Sequence, residues 1–139
     1  MEALTNQTVE DYAEHMLNDF TSIDPATGIL YMVTVNGTIV GMGAVKSLEA
    51  DIGEIKQMYI RSAYRRHGYG TALLQQLIGY AQSVGFMQLR LETADFSTTA
   101  HRLYRSAGFI DIKEYPGVET PAWYRPYCLY MEKPLSTVQ

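Results

Sequence analysis

The sequence predicts an α/β sandwich around a mixed, mainly antiparallel sheet. Three observations carry this. Asn36-Gly37 joins two strand-like runs and is a strong two-residue hairpin signal. A strand, a basic glycine-containing loop and a helix start follow one another between Gly53 and Leu74. Beyond that helix, the hydrophobic period switches to a strand, a second helix and two last strands.

The elements justify themselves in order. Val9, Tyr12, Ala13, Met16, Leu17 and Phe20 recur at helical spacing behind Thr8 and Asp11, which resemble a capping box. Asp24, Pro25 and Gly28 mark a loop. Residues 29–35 and 38–45 read as the hairpin strands, with Gly41 and Gly43 leaving room for a close backbone approach or a bulge. Residues 47–51 read as a polar connection. In the next strand, Ile55, Gln57 and Tyr59 are expected on one side, and Glu54, Lys56 and Met58 on the other. From Thr71 the spacing becomes helical. Leu73, Leu74, Leu77, Ile78, Ala81 and Val84 share a face, and Gly85 is placed to end the helix in a left-handed cap.

Residues 87–93 alternate again, with Met87, Leu89, Leu91 and Thr93 opposite Gln88, Arg90 and Glu92. Ser97 is placed to cap a helix on which Ala100, Leu103, Tyr104 and Ala107 share a face and which Gly108 ends. Residues 109–114 and 127–133 read as strands flanking the aromatic loop YPGVETPAWYRP. The strand-helix-strand unit around the long helix is expected to be parallel and right-handed. With no internal repeat, low-complexity tract or linker, residues 1–139 read as a single domain.

Composition narrows the function. A net charge of −4 and a pI near 5.3 argue against a nucleic-acid partner, which normally demands a basic surface. Cys128 is the only cysteine, so an internal disulfide is excluded; a structural thiol is the favoured reading over a nucleophile. His15, His67 and His101 lack metal-ligand spacing, and no metal is expected. No apolar run reaches membrane-spanning length and no secretory leader pattern is present, so the expectation is a cytoplasmic protein without a membrane partner.

Against this acidic background stand Arg61, Arg65, Arg66 and His67, followed by Gly68, Tyr69, Gly70 and Thr71. A helix start presents unpaired N–H groups and the positive end of its dipole, and glycines let an anion come close. The loop reads as a phosphate or pyrophosphate site, with a purely structural turn as the alternative. A P-loop does not fit, because no Gly-Lys-Ser/Thr follows. A dinucleotide fingerprint does not fit either, because Leu73 stands where its third glycine belongs.

R-R-H-G-Y-G resembles the Q/R-x-x-G-x-G/A pattern of GNAT-type N-acetyltransferases. E-I-K-Q-M-Y-I before it resembles that family's fourth strand, and L-Y-R-S-A-G-F at 103–109 its later L-Y-x-x-x-G-F segment. The resemblance implies a GNAT-like acyl-CoA N-acyltransferase fold, with a splay between the fourth and fifth strands that admits pantetheine. The few residues before Thr5 imply that the family's first strand is missing. That would leave strand 29–35 at a sheet edge, where a homodimer could protect it.

The resemblance also implies roles. Main-chain groups of Met58, Tyr59 and Ile60 would orient the pantetheine and thioester of acetyl-CoA, and Arg65, Arg66, His67, Gly68, Tyr69, Gly70 and Thr71 would hold its pyrophosphate. Tyr104 would meet the CoA sulfur and protonate the leaving thiolate, the alternative being a buried helix-face tyrosine. Glu54 would be the base, through water, or else a solvated or ion-paired strand charge; Glu92 is the reserve. Ser97 departs from the usual Asn, which weakens the cofactor contact expected there. The early helix would wall the acceptor pocket or simply pack in the core. Trp123, Tyr124 and Arg125 would line the acceptor site, or Trp123 would close the core or a dimer interface. The expected reaction is acetyl transfer to a primary amine of a small molecule or peptide. A non-catalytic acyl-CoA-binding or regulatory module is the alternative.

Overall fold

The computed structural model describes residues 28–136. The expected helix over residues 8–20, its capping box, Asp24, Pro25 and the question of a missing first strand lie outside the described residues. Within them, one six-stranded sheet is built from β1 (Ile29–Val35), β2 (Thr38–Glu49), β3 (Ile52–Ile60), β4 (Gln88–Ala94), β5 (Ile110–Ile112) and β6 (Cys128–Pro134). The helices are α1 (Tyr69–Ser83) and α2 (Thr98–Ser106), with short 3-10 turns at Ser62–Tyr64 and Arg125–Tyr127.

The sheet order is β1-β2-β3-β4-β6-β5. The pairs are antiparallel except β3 with β4, which run parallel on either side of α1, as the strand-helix-strand spacing requires. Asn36 and Gly37 take φ of 50° and 81° and close the first hairpin. Strand β2 is longer than its alternation suggested. Residues 47–49, read as a connection, pair with β3 instead, and only Ala50 and Asp51 form the turn. The last two strands are shorter or shifted: β5 keeps only Ile110–Ile112, and β6 begins at Cys128.

One core joins α1, α2 and one face of the sheet. It contains Val45, Ile55, Leu73, Leu74, Leu77, Leu89, Leu91, Tyr104, Phe109 and Met131. Each fully buried leucine here contributes about 1.5–3 kcal/mol of burial free energy. Two residues assigned to core faces are not there. Val84 is the exposed C-terminal cap of α1, and Met87, just before β4, is 48% exposed. Both sit where the element has ended, so its period no longer governs them. Gly85, at φ +90°, does end the helix in the left-handed region.

The alternation in β3 breaks for a physical reason. Met42 pairs with Tyr59 but Ala44 pairs with Lys56, so one residue of β2 spans two of β3. This β-bulge at Gln57-Met58 reverses the phase. Met58, expected on the face opposite Ile55, packs with it and with Ile60 against the core. Gly41 makes room there: a Cβ would stand 2.5 Å from Ile60 Cδ1 and 2.9 Å from the Tyr59 carbonyl oxygen.

Candidate active site

Three features surround the β3–β4 pair. The first is a divergence. Parallel pairing joins residues 52–55 to 88–91 and then stops, although β3 continues to Ile60 and β4 to Ala94. Past Leu91 each strand turns hydrogen-bonding groups towards a gap, as a splayed pair must. The bulge lies in this segment of β3, so Met58, Tyr59 and Ile60 lie beyond the last β3–β4 pair.

The second feature is the loop from β3 into α1. Arg65 is tethered, its Nε donating to the Ile60 carbonyl at 2.9 Å and its guanidinium lying 5.7 Å from the Tyr59 ring centre. Arg66 takes a positive φ of 66°, and Gly68, the N-cap of α1, sits at φ 81° and ψ 3°. A side chain at Gly68 would meet nothing within 4 Å, so the glycine is there for its left-handed backbone. Tyr69 and Gly70, assigned to the loop, form the first helical turn with Thr71. No acidic residue stands in that turn to compensate the helix dipole. The exposed Arg66 and His67 flank it, with the His67 and Tyr69 rings 5.8 Å apart. Gly70 lets α2 come close, because a Cβ would lie 3.3 Å from Leu103 Cδ2. The cradle fits a pyrophosphate: basic, rich in N–H groups and free of competing carboxylates in the first turn.

Tyr104 is the next residue of α2. It is buried, packs edge-on against Phe109 at 5.9 Å, and burial pushes its hydroxyl up to about 12. It is therefore a protonated phenol at neutral pH. Ser97 occupies the N-cap of α2, but its hydroxyl makes no capping bond there.

The third feature lies on the sheet face away from α1. Glu54, one residue before Ile55, points to this face and is only 2% exposed. The alternative of a solvated charge is thereby excluded. Tyr115 donates to Glu54 Oε2 at 2.7 Å, and the Lys56 ammonium lies 3.8 Å from Oε1. Burial raises the Glu54 carboxyl above its ordinary range, partly opposed by the Tyr115 hydrogen bond and by Lys56 and Lys46. Tyr115 is pushed upward by burial and by the Glu54 charge, and so remains a donor. Arg90 covers the Tyr115 ring at 5.3 Å, and Tyr130 meets that ring edge-on at 5.5 Å. Glu92, the cross-strand partner of Tyr130, accepts a hydrogen bond from Thr120.

Tyr115, Thr120 and Tyr130 were not foreseen as site residues. They reach Glu54 and Glu92 across the sheet or from a loop far along the chain, and no local pattern signals such contacts. Trp123, by contrast, is 75% exposed and closes no core. Its ring and that of Tyr127 flank Tyr124 at 5.6 and 6.2 Å. Cys128 is half-buried, and burial together with Glu92, Asp95 and Glu114 raises its thiol, so the structural reading suits it. His101 is buried, its Nε2–H donating to the Ala94 carbonyl at 2.8 Å, which ties α2 to the end of β4.

The profile of the Acetyltransferase (GNAT) family matches residues 1–109. The chain belongs to the GNAT family of acetyltransferases. It is 31% identical over 114 residues to an uncharacterized N-acetyltransferase of Schizosaccharomyces pombe, a match covering 81% of this chain and 68% of that one. It spans about half the length of two bacterial relatives. A GNAT-family acetyltransferase of Staphylococcus aureus has the same fold, with a TM-score of 0.77 at 20% identity over 91% of this chain and 79% of that one. Another from Elizabethkingia anophelis, solved with acetyl-CoA bound, gives 0.69 at 20% identity over 90% and 85% of the two chains. GNAT membership makes acetyl-CoA the co-substrate class for which the loop and divergence are to be read.

Proposed function

We propose that this GNAT chain transfers an acetyl group directly from acetyl-CoA to a primary amine of a small molecule or peptide, with Glu54 as water-assisted base and Tyr104 as acid. The observation that carries the reading is a buried carboxylate of raised pKa beside a parallel strand pair that opens towards an anion cradle.

The cradle, Arg65 to Thr71, binds the pyrophosphate, and the main chain of Met58, Tyr59 and Ile60, beyond the last β3–β4 pair, orients the pantetheine and thioester in the gap. N–H groups aimed at the thioester oxygen stabilise the charge that develops when the amine attacks the carbonyl carbon. Glu54 takes the proton that the attacking nitrogen loses; a raised carboxyl pKa brings its basicity closer to neutrality. As the C–S bond breaks, Tyr104 gives its phenolic proton to the departing thiolate. Ser97 is kept as a cofactor contact from the start of α2. The same reading treats residues 1–139 as one acetyltransferase domain working in the cytoplasm.

The test is transfer itself: acetyl-CoA with a panel of amines, following thiol release and acetylated product by mass. Tyr104→Phe is expected to lower turnover about 10-fold or more while acetyl-CoA binding persists. Unchanged turnover removes Tyr104 as the acid. Bound acetyl-CoA with no transfer to any amine replaces the reading with that of a non-catalytic acyl-CoA-binding module.

A further inference from the structure

The face of the sheet away from α1 holds two carboxylates that the chain leaves half-satisfied. Glu54 and Glu92 stand on the neighbouring strands β3 and β4, and the loop after β5 binds each by one oxygen. Tyr115 donates to Glu54 Oε2 and Thr120 to Glu92 Oε1. The other oxygens, Glu54 Oε1 and Glu92 Oε2, are closed off from solvent and accept no hydrogen bond among the described residues. The Tyr130 hydroxyl, on a side chain 5% exposed, faces Glu92 across β4 and β6; burial and its interaction with that carboxylate push it upward, so it stays a protonated donor beside Glu92.

The nearby cations are shared with other groups, and only Lys56 reaches one of the two carboxylates, Glu54, among the described residues. Lys46 and Lys56 pair with Glu119; Arg90 pairs with Glu132 and covers the Tyr115 ring; Arg125 meets Glu114 and the Thr120 carbonyl. Lys56 also lies 3.8 Å from Glu54 Oε1, beyond hydrogen-bond distance. Among the described residues no cation comes within 4.0 Å of Glu92.

A buried acceptor without a donor is costly, and a buried charge without a counter-charge more so. Two such oxygens beside a phenol call for a ligand that brings several N–H donors and positive charge. An acceptor with its own carboxylate at this point would set like charge against Glu92. Spacing narrows the class further. Glu54 is level with Arg90, two residues before Glu92. A strand separation of about 4.8 Å at the last pairs and a rise of about 6.6 Å over two residues put the two Cβ atoms roughly 8 Å apart as a lower bound, because the strands diverge past Leu91. A linear diamine with about four methylenes reaches from one carboxylate to the other.

We propose that the acceptor is a linear aliphatic diamine, with one nitrogen at Glu54 and the second held by Glu92 Oε2 and the Tyr130 hydroxyl. This deepens the acetyl-transfer reading and rests on it for its biological meaning, but the selectivity is measured as binding, without turnover. Glu92 is then the residue that determines specificity.

The experiment is calorimetric titration of the CoA-saturated protein with 1,4-diaminobutane, 1-aminobutane and 4-aminobutanoate. The diamine is expected to bind at least 10-fold more tightly than either other ligand. Glu92→Gln keeps an acceptor for Thr120, and Tyr130→Phe keeps the ring. Each is expected to bring the diamine-to-monoamine ratio down towards one. Equal affinities in the wild-type protein, or no diamine binding, overturn the proposal, as does a preference undiminished in both variants. Should a variant fail to fold, the wild-type comparison decides alone. Preferential binding without acetylation sinks the transfer reading and leaves the diamine site standing.

Discussion

At the scale of the residue, Glu54 decides most. Its type and its place on a strand are legible in the sequence, but its burial is not. The groups that enclose it, Tyr115 above all, come from 61 residues further along the chain. Its electrostatics have a thermodynamic signature. A native pKa above the ordinary 4.5 means that the folded chain holds the proton more tightly than the unfolded one. Stability from this group is therefore complete below pH 4.5 and is lost as pH rises through the native value. Glu54→Gln retains an acceptor for Tyr115 and removes the charge. It should raise the melting temperature by roughly a few degrees at pH 8, with the gain vanishing near pH 4. A gain independent of pH would contradict the burial account. Tyr115→Phe acts in the opposite sense on titration. Without that hydrogen bond the Glu54 pKa rises further, so the acidic limb of the pH–rate profile should move to higher pH.

At the scale of the element, local rules served well wherever the information was local. The Asn36-Gly37 hairpin, the apolar stripe of α1 and the glycine stop at Gly85 all depend on neighbours within a turn or two. The bulge in β3 was invisible to alternation, because a bulge is a relation between two strands. Gly41 and Gly43 hinted at it without revealing which strand carries the extra residue. The β3–α1 loop yields a test confined to one element. Arg65→Ala and Gly70→Asp should each weaken CoA binding, the second more strongly, since it puts a negative charge in the first helical turn and a side chain against Leu103. Affinity unchanged in both would mean that the loop is a turn and no more. Leu77, fully buried in α1, should cost about 2–5 kcal/mol as Leu77→Ala, measured by urea denaturation.

At the scale of the whole molecule, the fold class and strand order follow from counting elements and applying the rules of connection. The parallel β3–β4 step follows from the helix between the strands. What those rules cannot supply is the point where two strands part company, which depends on twist and packing across the sheet. Among the described residues, only 52–55 and 88–91 join the two halves of the sheet by strand pairing. A ligand filling the gap beyond them should stabilise the entire structure by mass action. CoA at 100 times its dissociation constant is expected to add about 2.7 kcal/mol to the unfolding free energy, visible as a raised melting temperature. Amide exchange should slow most at residues 58–60; protection confined to α1 would place the ligand outside the gap.

The strand order also dictates a sequence of events in time. The β1-β2-β3 meander closes through neighbours along the chain and can assemble as soon as it is synthesised. In the described sheet β5 has no partner except β6, and β6 must slot between β4 and β5, both made before it. Until the chain has been extended through Pro134, β4 presents one bare edge and β5 two. A nascent chain halted before β6 would thus be a sticky half-molecule, and the insertion of that strand is the step that turns it into a protein.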